Sequence, residues 1–165
     1  MVDNEDIKKI CSFYVSDWHF VTMLLPHINK KIDDKVKIAT ILENEEKTYM
    51  TTLLEKLQLL NKEKILKINW NRSIINTDEF KKILQCEENE IEIIIKGKID
   101  YINEVNKKLE ELLENTNKKV TIVNCYNVDE NKQNIIKILN TYNEVLNTSG
   151  IKTTKEYLAK NVANN

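Results

Sequence analysis

The sequence predicts an α/β domain in three layers, with a mostly parallel five-stranded sheet and helices on both faces. Two observations carry this. Five short apolar runs alternate with amphipathic stretches along the whole chain. No internal repeat, linker or composition break divides the 165 residues, a length that suits one core.

The first strand is expected at Ile10-Cys11-Ser12-Phe13-Tyr14-Val15. Ser16 or Asp17 can cap the helix that follows, which buries Trp18, Val21, Leu25, Ile28 and Ile32 at spacings of three and four. Pro26 should kink or break that helix and leave the carbonyl of Thr22 unpaired. The second strand is expected over Val36–Leu42, followed by a helix from Glu45 to Gln58 that buries Tyr49, Leu53, Leu54 and Leu57. A third strand is expected over Ile65–Trp70, ending in Asn71-Arg72-Ser73.

A short helix over Thr77–Cys86 leads to a fourth strand, Ile91–Ile95, with Gly97 in the turn after it. Ile102, Val105, Leu109, Leu112 and Leu113 form the cleanest helical stripe, between Ile99 and Glu114. The fifth strand is Val120–Tyr126, and the helix after it should bury Ile135, Ile138, Leu139, Tyr142 and Leu146. Residues 1–150 make the domain, and residues 151–165 are expected as either a short C-terminal helix or an arm.

Composition removes several function classes. The chain is 41% hydrophobic and 31% charged, enough apolar material for a core and too much for disorder. Formal net charge is -1, so no global field favours nucleic acid or an anionic membrane. The acidic opening Met1–Asp6 lacks the pattern of a signal peptide, and no apolar run nears the roughly 18 residues of a membrane span. A cytoplasmic location is expected. Three cysteines, odd in number and widely spaced without a C-x-x-C pair, agree with that compartment.

In a parallel sheet, ligands bind beyond the carboxyl ends of the strands. Those ends would deliver Tyr14, Ser16, Asp17, Trp18 and His19, then Glu43 and Asn44, then Asn69, Trp70, Asn71 and Arg72, and finally Asn124, Tyr126 and Asn127. The candidate ligand contacts are Tyr14, Asp17, Trp18, His19, Trp70, Arg72 and Tyr126. Trp18 and Trp70 would give apolar contact, while His19, Asp17 and Arg72 would orient a polar group. Tyr14 suits the core equally well.

Catalytic parts are missing. Ser16-Asp17-Trp18-His19 holds no glycine, so the loop after the first strand cannot wrap a phosphate with backbone amides. His19 and His27 share no face at metal-ligand spacing, and His27 beside Pro26 reads as helix surface. A Cys125–His19 nucleophile and base would need the first and fifth strands to be neighbours. Cysteine in a buried strand is usually an inert small hydrophobe, and Asp17 serves better as a helix cap than as half of a carboxylate pair with Glu43. No G-x-S-x-G elbow occurs. The expectation is a non-enzyme without cofactor or metal.

Three segments together resemble the MEDS sensory domain, the methanogen/methylotroph and dichloromethane-regulator family. Ile10-Cys11-Ser12-Phe13-Tyr14, with a helix from Asp17, is similar to the family's opening strand. Lys37-Ile38-Ala39-Thr40 through Glu46 resembles its second strand and turn, although the proline and histidine of that turn are absent. Asn124-Cys125-Tyr126-Asn127 and Ile138-Leu139-Asn140-Thr141-Tyr142 resemble its late strand and helix end, with Asn127 for Asp and Tyr142-Asn143 for His-Pro. Lys9 stands where the family often has His. The resemblance implies a RecA-like fold without its phosphate loop, in which the first strand lies beside the fourth and fifth; a flavodoxin-like order would not do this. It also implies sensing of a small molecule, or control of a histidine kinase or transcription regulator. A structural protein-interaction domain without a ligand is the alternative, and self-association stays open.

Overall fold

The computed structural model describes residues 6–73 and 75–162. The acidic opening as far as residue 5 and the end of the expected tail, 163–165, lie outside them. Six strands form one sheet: β1 (Ile7–Tyr14), β2 (Val36–Leu42), β3 (Glu90–Lys96), β4 (Lys119–Asn127), β5 (Glu144–Asn147) and β6 (Gly150–Thr153). Their order is β2-β3-β4-β1-β5-β6, parallel throughout except for the β5–β6 hairpin. Three layers result, one strand more than expected.

Alternation along each strand feeds two cores. Ile10, Tyr14, Ile38, Leu42, Ile94, Val123 and Cys125 face one side, under α1 (Asp17–Asp33), α2 (Lys47–Lys56) and α3 (Lys62–Leu66). Cys11, Phe13, Ala39, Ile41, Ile91, Ile93, Ile95, Val120 and Ile122 face the other. There they meet α4 (Thr77–Leu84), α5 (Ile99–Leu112), α6 (Ile135–Leu139) and α7 (Thr154–Val162). From β1 the chain crosses the first face to the far edge at β2. It then steps back through β3 and β4, with α5 and α6 on the second face. Right-handed crossovers require this change of face when direction reverses. The connections leaving β1 and β4 therefore diverge, which opens a switch point at their carboxyl ends.

β1 lies between β4, which is the expected fifth strand, and β5; the expected fourth strand, β3, is not its neighbour but lies on the far side of β4. The expected third strand is a correction. Ile65–Trp70 is no strand: Ile65 and Leu66 close α3, and the chain folds back so that the Trp70 indole N–H donates to the Ile65 carbonyl at 2.8 Å. A six-residue apolar run fits a helix end plus a return as well as a strand, because period alone cannot separate the two. The sheet instead gains Glu144–Asn147 as β5, inside the segment read as helix. α6 ends at Leu139, and Val145 and Leu146 pair with Cys11 and Ser12 of β1. The Ser12 hydroxyl donates to the Leu146 carbonyl at 2.9 Å. Residues 150–153 add β6, and Tyr157 and Leu158 of α7 pack on the second core.

Two smaller expectations also change. α1 runs unbroken through Pro26, held to the sheet by Leu24, Leu25 and Ile28 on either side of the exposed proline. In α2 it is Met50 and Leu54 that are fully buried, while Leu57 falls beyond the helix and is exposed.

Between α1 and β2 the chain turns at Lys35, whose φ of 61° lies in the left-handed region. A side chain there costs about 1 kcal/mol, which glycine avoids. Lys35→Gly is expected to raise the midpoint of thermal unfolding by a few degrees, measured by circular dichroism. An unchanged or lower midpoint would show that Lys35 is not strained.

Candidate functional site

At the switch point the carboxyl edge is built around one ammonium group. Lys96 ends β3 on the α1 face and is only 6% exposed. Its Nζ donates to Asp17 Oδ1 at 2.9 Å and to the carboxylate of Glu46. It also lies 4.7 Å from the ring centre of Tyr14 and 5.1 Å from that of Phe20, a cation–π arrangement. Burial opposes the charge, but the hydrogen bonds to Asp17 and Glu46 outweigh it and hold Lys96 above its ordinary range.

Local structure places each partner. Ser16 caps α1 by accepting the His19 N–H at 3.1 Å, so Asp17 occupies the first turn, where the helix dipole favours a carboxylate. Glu46 precedes α2, fixed by its N–H to the Trp70 carbonyl at 2.8 Å. It is 1% exposed, and its Oε2 has no hydrogen-bond partner among the described residues. Burial pushes its carboxyl up to about 7, only partly countered by Lys96. Glu43 at the end of β2 accepts the Lys98 N–H at 2.9 Å and so caps α5 from a different element. Gly97 permits this approach, since a Cβ there would lie 2.7 Å from Glu43 Oε2 and 2.5 Å from the Tyr101 ring.

Of the expected contacts, Tyr14 and Asp17 meet at Lys96. Tyr14 is core, and burial pushes its phenol up to about 12 despite the nearby ammonium. Trp18 is 47% exposed and stands edge-on to Tyr49, with ring centres 4.9 Å apart. His19 accepts the Val15 N–H through Nδ1 at 3.0 Å. Trp70 is buried under α2 and α3 rather than lining an open wall. Arg72 is exposed, its charge acting on Tyr101. Tyr126 faces the opposite core, where its hydroxyl meets that of Tyr142 at 2.7 Å and the Asn124 amide donates to Tyr142 at 2.9 Å. The seven residues therefore do not share one pocket.

Sequence reasoning missed Lys96 and Glu46. The available signal was a lysine directly after Ile91–Ile95 and before Gly97, a charge on the last residue of a buried strand. His27 is another correction. It is half-buried, its Nε2 meeting Glu92 of β3 at 2.7 Å, rather than open helix surface. Cys125 does neighbour β1 through β4, but its thiol is fully buried and raised by burial, while His19 is engaged with the Val15 amide. Asp17 and Glu43 serve different partners, Lys96 and the Lys98 amide. Among the described residues no group of three His, Cys, Asp or Glu could hold a metal ion, and no helix is long and apolar enough to cross a membrane.

The chemistry available is thus a fixed cation held by Asp17 and by Glu46, and Glu46 is itself the buried carboxyl that is raised to about 7. No family model, curated protein or solved structure matches the chain.

Glu46 holds its proton in the folded state from its ordinary value of 4.5 up to about 7, so its contribution to stability is complete below 4.5 and is lost as pH rises through 7. Thermal midpoints are expected to fall across that window, with a slope of at most about 1.4 kcal/mol per pH unit. Glu46→Gln should flatten the profile; equal slopes in both proteins would remove Glu46 as the cause. Trp70→Ala should destabilise by about 3–5 kcal/mol in chemical denaturation, as loss of a core aromatic does. A cost below about 1 kcal/mol would contradict its structural role.

Proposed function

We propose that this chain is a non-catalytic regulatory module of cytoplasmic signalling that acts by protein contact at the carboxyl edge of its sheet. One observation carries the reading. The crevice where such sheets admit a ligand is filled by the chain's own Lys96, Asp17 and Glu46, while Trp18 stands outward at its rim. Val15, 57% exposed, adds apolar surface three residues away. An aromatic anchor on a polar rim is the composition of a protein-binding hot spot. A small molecule entering at Tyr14 or Trp70 would first have to displace a buried ion pair, which is costly.

The partner class comes from the resemblance to the MEDS sensory family: a histidine kinase or a transcription regulator. The test is affinity capture from native lysate with the wild-type chain and with Trp18→Ala, with bound proteins identified by mass spectrometry. Recovery of a kinase or regulator with the wild type, and its loss with Trp18→Ala at a thermal midpoint within a few degrees, is the expected result. Recovery of the same partner by both proteins would move the contact away from this edge. Recovery of none, together with stabilisation by a small ligand in a thermal-shift screen, would favour small-molecule sensing instead.

A further inference from the structure

On the second face, between α5 and the connection from α6 to β5, the helix layer leaves a slot of about 360 Å³ over β1 and β4. Helices that cover a sheet usually close such a gap with apolar side chains. Here every lining side chain carries a polar group, and one of them is Asn124 of β4, only 1% exposed. The Asn124 carbonyl accepts from the Asn106 amide at 2.8 Å, and its own amide donates to the Tyr142 hydroxyl at 2.9 Å.

The hydroxyl groups beside Asn124 do not balance. Tyr126 and Tyr142 meet at 2.7 Å and bring two O–H hydrogens between them. Asn124 donates to Tyr142, so it takes up neither. One hydrogen is spent on the Tyr126–Tyr142 bond, and the other has no acceptor among the described residues. Tyr126 is buried and Tyr142 half-buried, and an unspent donor costs more the deeper it lies. Tyr126 therefore donates, and Tyr142, which lines the slot, keeps the spare hydrogen. Two incoming hydrogen bonds polarise that O–H and strengthen it as a donor.

The mouth of the slot selects what accepts it. Lys9 is paired with Glu110 at 3.2 Å, whereas Lys107 has no ion-pair partner among the described residues. The lining thus carries one net positive charge, from two lysines and one glutamate. Asn103 lies one turn before Lys107 and has no hydrogen bond among the described residues, so its amide offers both a donor and an acceptor. A carboxylate suits the ammonium and the phenolic O–H, and hydroxyl groups suit the amides. No apolar wall is present to hold a hydrophobic body.

We propose that this slot binds a small hydroxylated carboxylate anion, its carboxylate held by Tyr142 and Lys107 and its hydroxyls by Asn103 and Asn106. Tyr126 acts through Tyr142, by spending its hydrogen there. The site lies on the opposite face from the Lys96 cluster and is independent of the protein contact at the carboxyl edge.

The test follows the side-chain amide signals of Asn106 and Asn124 by nuclear magnetic resonance in the nitrogen-labelled full chain. Sodium glycerate is the probe, with glycerol and sodium chloride at matched concentration as controls. Saturable movement at millimolar glycerate is expected, and none with either control. Tyr142→Phe and Lys107→Ala should each weaken glycerate roughly tenfold. Tyr142→Phe also removes an acceptor from Asn124, whereas Lys107 is exposed and its loss leaves the core untouched. Three results would overturn the proposal. These are no saturation up to about 100 mM glycerate, equal movement with glycerol, or unchanged affinity in Lys107→Ala.

Discussion

Two buried ionisable side chains on one strand fix how the first helix lies on the sheet. β3 is central, covered on both faces, and carries Glu92 and Lys96 on the side that faces α1. A charge so placed needs a partner, because an unpaired ion in the interior costs several kcal/mol. α1 supplies both, Asp17 for Lys96 and His27 for Glu92. The spacings match. From Asp17 to His27 a helix rises roughly 15 Å, and from Glu92 to Lys96 a strand advances about 13 Å. The two ends run in opposite senses, so the pairs can form together only when α1 is antiparallel to β3 and in one register. Apolar packing of Phe20, Leu24 and Ile28 alone would tolerate a slip; the Lys96–Asp17 ion pair together with the His27–Glu92 hydrogen bond does not.

The same logic governs the rest of the polar interior. On the opposite face, Asn124 of β4 is buried and is satisfied by Asn106 of α5 and by Tyr142, whose hydroxyl also meets Tyr126. Each helix layer is thus tied to the sheet by hydrogen bonds as well as by apolar area. On the α1 side two buried carboxyl groups each leave one oxygen unpartnered among the described residues, Glu46 Oε2 and Glu92 Oε1. Burial raises the proton affinity of Glu46, which shares Lys96 with Asp17, the residue just before the exposed Trp18.

Four of the six strands were legible because each is an apolar run buried on both faces: β1, β2, β3 and β4. The stripe of Ile102, Val105 and Leu109 likewise marked α5. β5 was not legible, since Val145-Leu146 is too short a run to stand apart from a helical pattern that already includes Ile138 and Leu139. The segment from Ile65 to Trp70 failed in the opposite sense, through an alternation that tertiary contact overrode. The candidate site was half legible. Position along the chain identified Asp17 and Trp18, because the carboxyl end of β1 is easy to place. Glu46, Glu92 and His27 were invisible because an isolated acid or histidine looks like surface until the element covering it is known. Lys96 was hidden by ending the strand one residue early.

The place of β1 in the sheet bears on synthesis. Of these six strands it leaves the ribosome first, whereas its neighbours β4 and β5 come fourth and fifth. At roughly 5–20 residues per second, β1 waits on the order of ten seconds for a hydrogen-bonding partner. During that interval Ile10, Cys11, Phe13 and Tyr14 have only α1 to cover them, and only on one face. A nascent chain in this state exposes two unpaired strand edges, the kind of surface that chaperones bind. The connectivity that puts the earliest of the six strands between β4 and β5 therefore makes its completion depend on segments made much later.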